Sequence, residues 1–161
     1  MAKKSSVEKV RRYFKERGLA IEVVELDKST RTAQLAAKAV GTELGSIVKS
    51  LIFLADEKPV LVLVAGDRRA EPQKIQKLLG AKEVVIANAE QVREKTGFAI
   101  GGVPPLGHEV EMKTLIDRSL GRFQTVYAAA GSPRAVFPIS YNLLVELSGG
   151  EVADIVEQIA Q

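Results

Sequence analysis

The chain contains no cysteine and no tryptophan, and it has a single histidine. Without cysteine there is no disulfide, no thiolate nucleophile and no zinc–thiolate site. One histidine with no supporting motif gives no Ser-His-acid triad. No grouping of histidine, aspartate and glutamate has the spacing of metal ligands, so neither a metal nor a cofactor is expected. Aromatic residues make up 5% of the chain, too few for a platform on which single-stranded bases stack. No apolar run is long enough to span a bilayer, and the start, MAKKSSVEKV, lacks the apolar stretch of a secretory signal. The expected location is the cytoplasm, with no membrane partner.

What remains is the composition of a globular protein. The chain has 161 residues, 46% hydrophobic and 27% charged, enough for a real core. One domain over residues 1–161 is expected, since no repeat, linker or low-complexity segment interrupts it. Twenty-three basic residues against 20 acidic ones leave +3. That mild excess permits contact with a polyanion without demanding it. If a nucleic acid is met, it is gripped at one end or one feature; DNA is not an expected partner.

Helix and strand signals alternate along the chain. Ser5 and Glu8 have capping-box spacing, with Val7, Val10 and Phe14 following at helical intervals and Gly18 as a stop. Residues 21–26 read as a strand and 32–40 as an alanine-rich helix ending at Gly41. Residues 47–54 and 60–65 are nearly continuous apolar runs, as in buried strands, joined by a four-residue hairpin loop at 55–58. Pro72 suits the first turn of a helix carrying Ile75, Leu78 and Leu79 and stopping at Gly80. Residues 84–86 form a short strand, and Asn88 with Gln91 caps a helix through Arg93, with Gly97 beyond its end. After an irregular stretch at 98–107, strands are expected at 111–116, 123–129 and 135–138, and helices at 141–147 and 152–159. The fold class is α/β, with a mixed, strongly curved sheet flanked by helices.

Lys49 is the most informative residue. With period two it shares a strand face with Ile47, Leu51 and Phe53. An ammonium there is costly to bury unless paired. Either its stem lies along the sheet while the head reaches water, or it is a point charge in a pocket aimed at a phosphate or carboxylate. The loop Gly101-Gly102-Val103-Pro104-Pro105-Leu106-Gly107 is the second candidate. Its glycines permit close approach and leave N–H groups to face a developing oxyanion; the plainer reading is a tight turn. His108 is either a general base or a polar loop residue. Asp117 either caps a turn at Ser119 or positions a ligand group. Asp67-Arg68-Arg69 reads as a solvated turn, or as a contact for RNA phosphates. An enzyme built from these parts works by positioning and backbone electrostatics.

These pieces occur in a telling order: Ile47-Val48-Lys49-Ser50-Leu51, Leu79-Gly80-Ala81-Lys82, Thr96-Gly97-Phe98 running into the Gly101 loop, Ile116-Asp117, and Ala130-Gly131-Ser132. The ordered set resembles the prolyl-tRNA editing-domain family over residues 5–157. The resemblance implies hydrolysis of the ester between a wrong amino acid and the terminal adenosine of a tRNA. It implies that Lys49 is a functional lysine, that Gly101 and Pro105 frame a functional loop, and that Gly131 borders the aminoacyl pocket. It puts Asp117 at a commonly acidic position and gives His108 no required role.

The expected catalytic groups are therefore Lys49, Gly101 and Gly102. The expected substrate contacts are Ile47, Leu51, Val103, Pro105, Asp117, Gly131 and Ser132. The expected partners are the acceptor end of a mischarged tRNA and prolyl-tRNA synthetase. The amino acid removed is expected to be small: alanine, serine, threonine or cysteine. The alternatives are a non-catalytic module that holds a tRNA end or an aminoacyl-adenylate-like ligand, and a hydrolase of unrelated small esters.

Overall fold

The computed structural model describes residues 2–27 and 32–158. Helix α1 (Ala2–Glu16) buries Val7, Val10 and Phe14 along one face, as their spacing requires. It begins three residues before Ser5, so the Ser5–Glu8 pair lies inside the helix rather than at its start. Glu8 instead pairs with Arg11 at 2.7 Å. Gly18, with φ +66°, turns the chain away beyond the helix end. Phe14 then meets the ring of Phe137 edge-on, centroids 4.9 Å apart, an arrangement that contributes about 1 kcal/mol beyond burial.

Strands β1 (Val24–Glu25), β2 (Val48–Ala55), β3 (Lys58–Ala65), β4 (Val84–Ile86), β5 (Lys113–Asp117), β6 (Thr125–Ala129), β7 (Ala135–Ser140) and β8 (Glu151–Ala153) form two sheets. The larger is mixed, in the order β4-β2-β3-β5-β8, with β3/β5 and β5/β8 parallel. The smaller is antiparallel, in the order β1-β7-β6. The expected single sheet is thus two. The cause is β6, which meets β2 at one parallel bridge, Ile47 to Tyr127, and pairs with it no further.

The larger sheet is buried on both faces, which is why β2 and β3 read as continuous apolar runs. On one side Ile52, Leu54, Leu61 and Leu63 pack toward α1 and the smaller sheet. On the other, Phe53, Val60, Val62 and Val64 pack on Ile75, Ile155 and Val156. Helices α2 (Ala33–Val40), α3 (Pro72–Leu79), α4 (Ala89–Thr96) and α5 (Tyr141–Ser148) complete the fold. The Asn88–Gln91 capping box opens α4, and Gly41, Gly80 and Gly97 close α2, α3 and α4 with positive φ, as the sequence suggests. Thr32, expected as the first residue of α2, instead caps it by accepting from Leu35 N.

Several elements differ from expectation. The β2–β3 link is only Asp56–Glu57, both with positive φ, the conformation that matches strand twist in a two-residue hairpin. Neither residue favours it, but the Asp56 carboxylate accepts hydrogen bonds of 3.0–3.1 Å from the N–H groups of Lys82 and Glu83. Leu78 points outward while Ile75 is fully buried. The expected closing helix is absent over the described residues. Val152 pairs in β8, Val156 bridges to Ala70, and Ile155 O accepts from Glu71 N. Helical spacing of apolar residues loses there to parallel pairing with β5.

Gly131 carries a constraint that tests the packing of α1. Its φ is +94°, and a Cβ there would lie 2.5 Å from the Ser6 carbonyl oxygen. Gly131→Ala is expected to cost at least about 2 kcal/mol of stability, read as a lower urea midpoint with an unchanged slope.

Candidate functional site

The unzipped seam between the two sheets is a cleft of about 350 Å³. Ile47, Val48, Lys49, Ser50 and Leu51 form one wall, and Tyr127, Ala128 and Ala129 the other. The start of α2 and the loop at Ile100, Gly101 and Val103 close it further. The strand edges here are open for a definite reason. Gly66 N donates to Ile47 O on the β3 side, and Ala87 N donates to Ile52 O on the opposite side. Alternation along β2 then points the main-chain groups of Ser50 away from β3. β4 pairs only with Phe53, Leu54 and Ala55, so Ser50 faces the cleft. The same alternation in β6, fixed by the bond from Ala130 N to Ala135 O, turns the main chain of Ala129 toward the cleft from the other wall.

Lys49 lines this cleft and is half-buried. Its Nζ donates to the carbonyl oxygen of Arg68. Burial pushes its pKa down, and the positive charge of Arg69 adds to that; Asp67 acts the other way. The ammonium is thus tethered by one acceptor, with no carboxylate bonded to it among the described residues. The tether is itself held. Arg122 grips Asp67 with two bonds, 2.7 and 3.0 Å, and its Nε donates to Ser119 O at 2.6 Å. The Arg122 fork holds the Asp67 carboxyl below its ordinary pKa. So Asp67-Arg68-Arg69 is a clamped turn that positions Lys49, a role its sequence did not suggest.

The glycine loop is a turn with Gly101 at φ +85° and a bond of 2.9 Å from Gly102 N to Ala99 O. The amide of Gly102 is therefore engaged, against the expectation that it faces an oxyanion. The Gly101 amide has no hydrogen bond among the described residues, and Gly101 lines the cleft. Ser132 backs the loop: a Cβ on Gly102 would meet Ser132 Cα at 2.8 Å.

Ile47, Leu51 and Val103 line the cleft as expected. Four other expected contacts do not. Gly131 and Ser132 lie behind the loop, against α1 and Gly102. Pro105 lines a separate groove of about 740 Å³ beside α1, together with His108. Asp117 is fully buried. It accepts from Ser119 N at 2.9 Å, from the Ser119 hydroxyl, and from Ile155 N at 2.9 Å, so it is the structural cap of its plainer reading. His108 bonds Pro104 O at 2.7 Å and stands edge-on to Phe98. Burial lowers its pKa, and it does not line the cleft.

Residues 27–147 match the family described as the aminoacyl-tRNA editing domain. A solved structure described as "a putative trans-editing enzyme for prolyl tRNA synthetase" is 44% identical, with TM-score 0.88, covering 95% of this chain and 98% of that one. The "Putative Cys-tRNA(Pro)/Cys-tRNA(Cys) deacylase EbsC" of Enterococcus faecalis is 23% identical over 77% of this chain and 76% of its own length. Proline–tRNA ligase of Maridesulfovibrio salexigens is 38% identical over 80 residues, which are 50% of this chain and only 14% of the ligase. No described helix is long and apolar enough to cross a membrane.

The Asp67–Arg122 clamp predicts an acid limb of stability. A depressed carboxyl pKa contributes stability that is complete above the unfolded value, about 3.9, and is lost as pH falls through the folded value below it. Urea midpoints from pH 6 to 2 should therefore fall less steeply for Asp67→Asn than for the parent chain. Identical limbs would reject the clamp.

Proposed function

The chain belongs to the aminoacyl-tRNA editing domain family, and from that premise we propose that it hydrolyses, in trans, the ester of tRNA mischarged with a small amino acid. The observation that carries this reading is a single cleft holding both the tethered ammonium of Lys49 and the unengaged amide of Gly101. Beside these polar groups, part of its lining is small and apolar: Ala33, Ala36, Ala128, Ala129, Val103 and Val136. Such walls suit alanine, serine, threonine or cysteine. Apolar pockets separate neighbouring sizes by only about 1–3 kcal/mol per methylene, so activity on more than one small aminoacyl group is expected. The substrate is a tRNA acceptor end, and its synthetase partner is the one that charges proline.

The chemistry needs little from side chains, because the ester is already activated. Water adds to the ester carbonyl, and the oxygen gains negative charge facing the Gly101 amide. The carbon–oxygen bond to the ribose then breaks, releasing the amino acid and the ribose hydroxyl. The neighbouring ribose hydroxyl carries the proton from the attacking water to the leaving oxygen, so no protein base is required. Lys49 holds the terminal phosphate or orients the adenosine as a compact charge that arginine does not replace.

Deacylation of alanyl-, seryl-, threonyl-, cysteinyl- and prolyl-tRNA at equal concentration tests the reading. Rapid loss of the small groups with prolyl-tRNA spared supports it. Efficient attack on prolyl-tRNA, or protection of every ester, overturns it. Lys49→Ala should lose most activity while staying folded, and Lys49→Arg should not restore it. Gly101→Val should lower kcat by about a hundredfold, the scale for losing one oxyanion donor; an unchanged kcat with raised KM would make the loop a docking element.

A further inference from the structure

Ser50 presents three polar groups to the cleft: a hydroxyl with no hydrogen-bond partner among the described residues, and a main-chain N–H and C=O where no strand ladder pairs with β2. Its Oγ is buried without a hydrogen bond. Its N–H and C=O point away from β3, where no strand pairs with β2 at this position. Unmatched groups at a buried edge are costly, and in native proteins they are normally satisfied. The cleft is therefore built to receive a ligand with the complementary pattern. That pattern is specific. A strand residue facing an open edge exchanges two bonds with the residue opposite, accepting at its carbonyl and donating at its nitrogen. An aminoacyl ester carries the same pair, one carbonyl acceptor and one ammonium donor, on either side of a single α-carbon.

We propose that the aminoacyl group docks on β2 as a one-residue strand. The Ser50 N–H donates to the ester carbonyl, and the Ser50 C=O accepts from the α-ammonium. The inference rests on the deacylase reading and adds to it the groups that hold the reacting carbonyl. It supplies a second donor beside Gly101, the place left by the engaged amide of Gly102. It also states what is recognised: a free α-ammonium, common to every amino acid, with the side chain left to the alanine- and valine-lined walls. The Ile47–Tyr127 bridge ends the open edge at one side, and the pairing of β4 from Phe53 ends it at the other. A longer peptide has no room to continue the pairing.

Ser50→Pro removes the donor on the open edge without removing a β2–β3 bond, since a strand proline is tolerated where its nitrogen faces outward. It should lower kcat on alanyl-tRNA by about a hundredfold. Ser50→Ala keeps both main-chain groups and should raise KM only, by roughly two- to tenfold. Retained kcat in folded Ser50→Pro overturns the proposal. Independently of folding, the parent chain is titrated with an alanyl-amide analogue of the tRNA 3′ adenosine and followed by amide NMR. The Ser50 and Gly101 amides should shift together, and a propionyl analogue without the ammonium should bind at least tenfold more weakly. An unmoved Ser50 amide, in a protein that still deacylates alanyl-tRNA, rejects the docking edge and spares the function. A Ser50 amide that shifts, in a protein that cleaves none of the charged tRNAs, rejects the function and spares the docking edge.

Discussion

The buried carboxylate of Asp117 is the point on which the site hangs. A charge in the core is costly unless its lone pairs are used. Here they are, by the Ser119 N–H and hydroxyl and by the Ile155 N–H. That one group closes the end of β5 and fastens the chain beyond β8. From Ser119 the fixed geometry passes outward. Its carbonyl takes Arg122 Nε, Arg122 forks onto Asp67, and the Arg68 carbonyl takes Lys49. Each bond restrains the next group, so the rigidity of the core is delivered to an ammonium at the edge of a cleft.

This arrangement shows how a chain with one histidine and no cysteine can still hold a charged group and main-chain donors in fixed positions around one cleft. The cleft offers charge, main-chain donors and apolar walls. Backbone groups of a strand edge cost nothing to position, because the sheet has already fixed them. The charge of Lys49 is kept available by a neutral tether. A carboxylate partner would have quenched the field of the ammonium.

Local structure was largely legible in the sequence, for local reasons. Asn88 and Gln91, Pro72, and the glycines at 18, 41, 80 and 97 act through their own backbones, and each punctuates the chain where expected. Lys49 was legible because an ammonium among Ile47, Leu51 and Phe53 conflicts with its neighbours. The failures are non-local. The helical spacing of Val152, Ile155 and Val156 gave no sign that β5 would claim them as a strand and its extension. Gly131 looked like a pocket glycine, but the demand on it comes from Ser6, 125 positions away. Asp67 and Arg122 lie 55 residues apart, so only folding reveals that they form one device. Ser50 is an ordinary strand serine until the divergence of β6 strips its edge.

That divergence has a further consequence for solubility. An open strand edge is normally a hazard, since another chain can add to it and begin aggregation. Here the exposed stretch of β2 is about one residue long, stopped by Tyr127 on one side and by β4 on the other, and roofed by the glycine loop. A foreign strand would find a single rung and no ladder. The same shortness keeps copies of the protein from pairing through it.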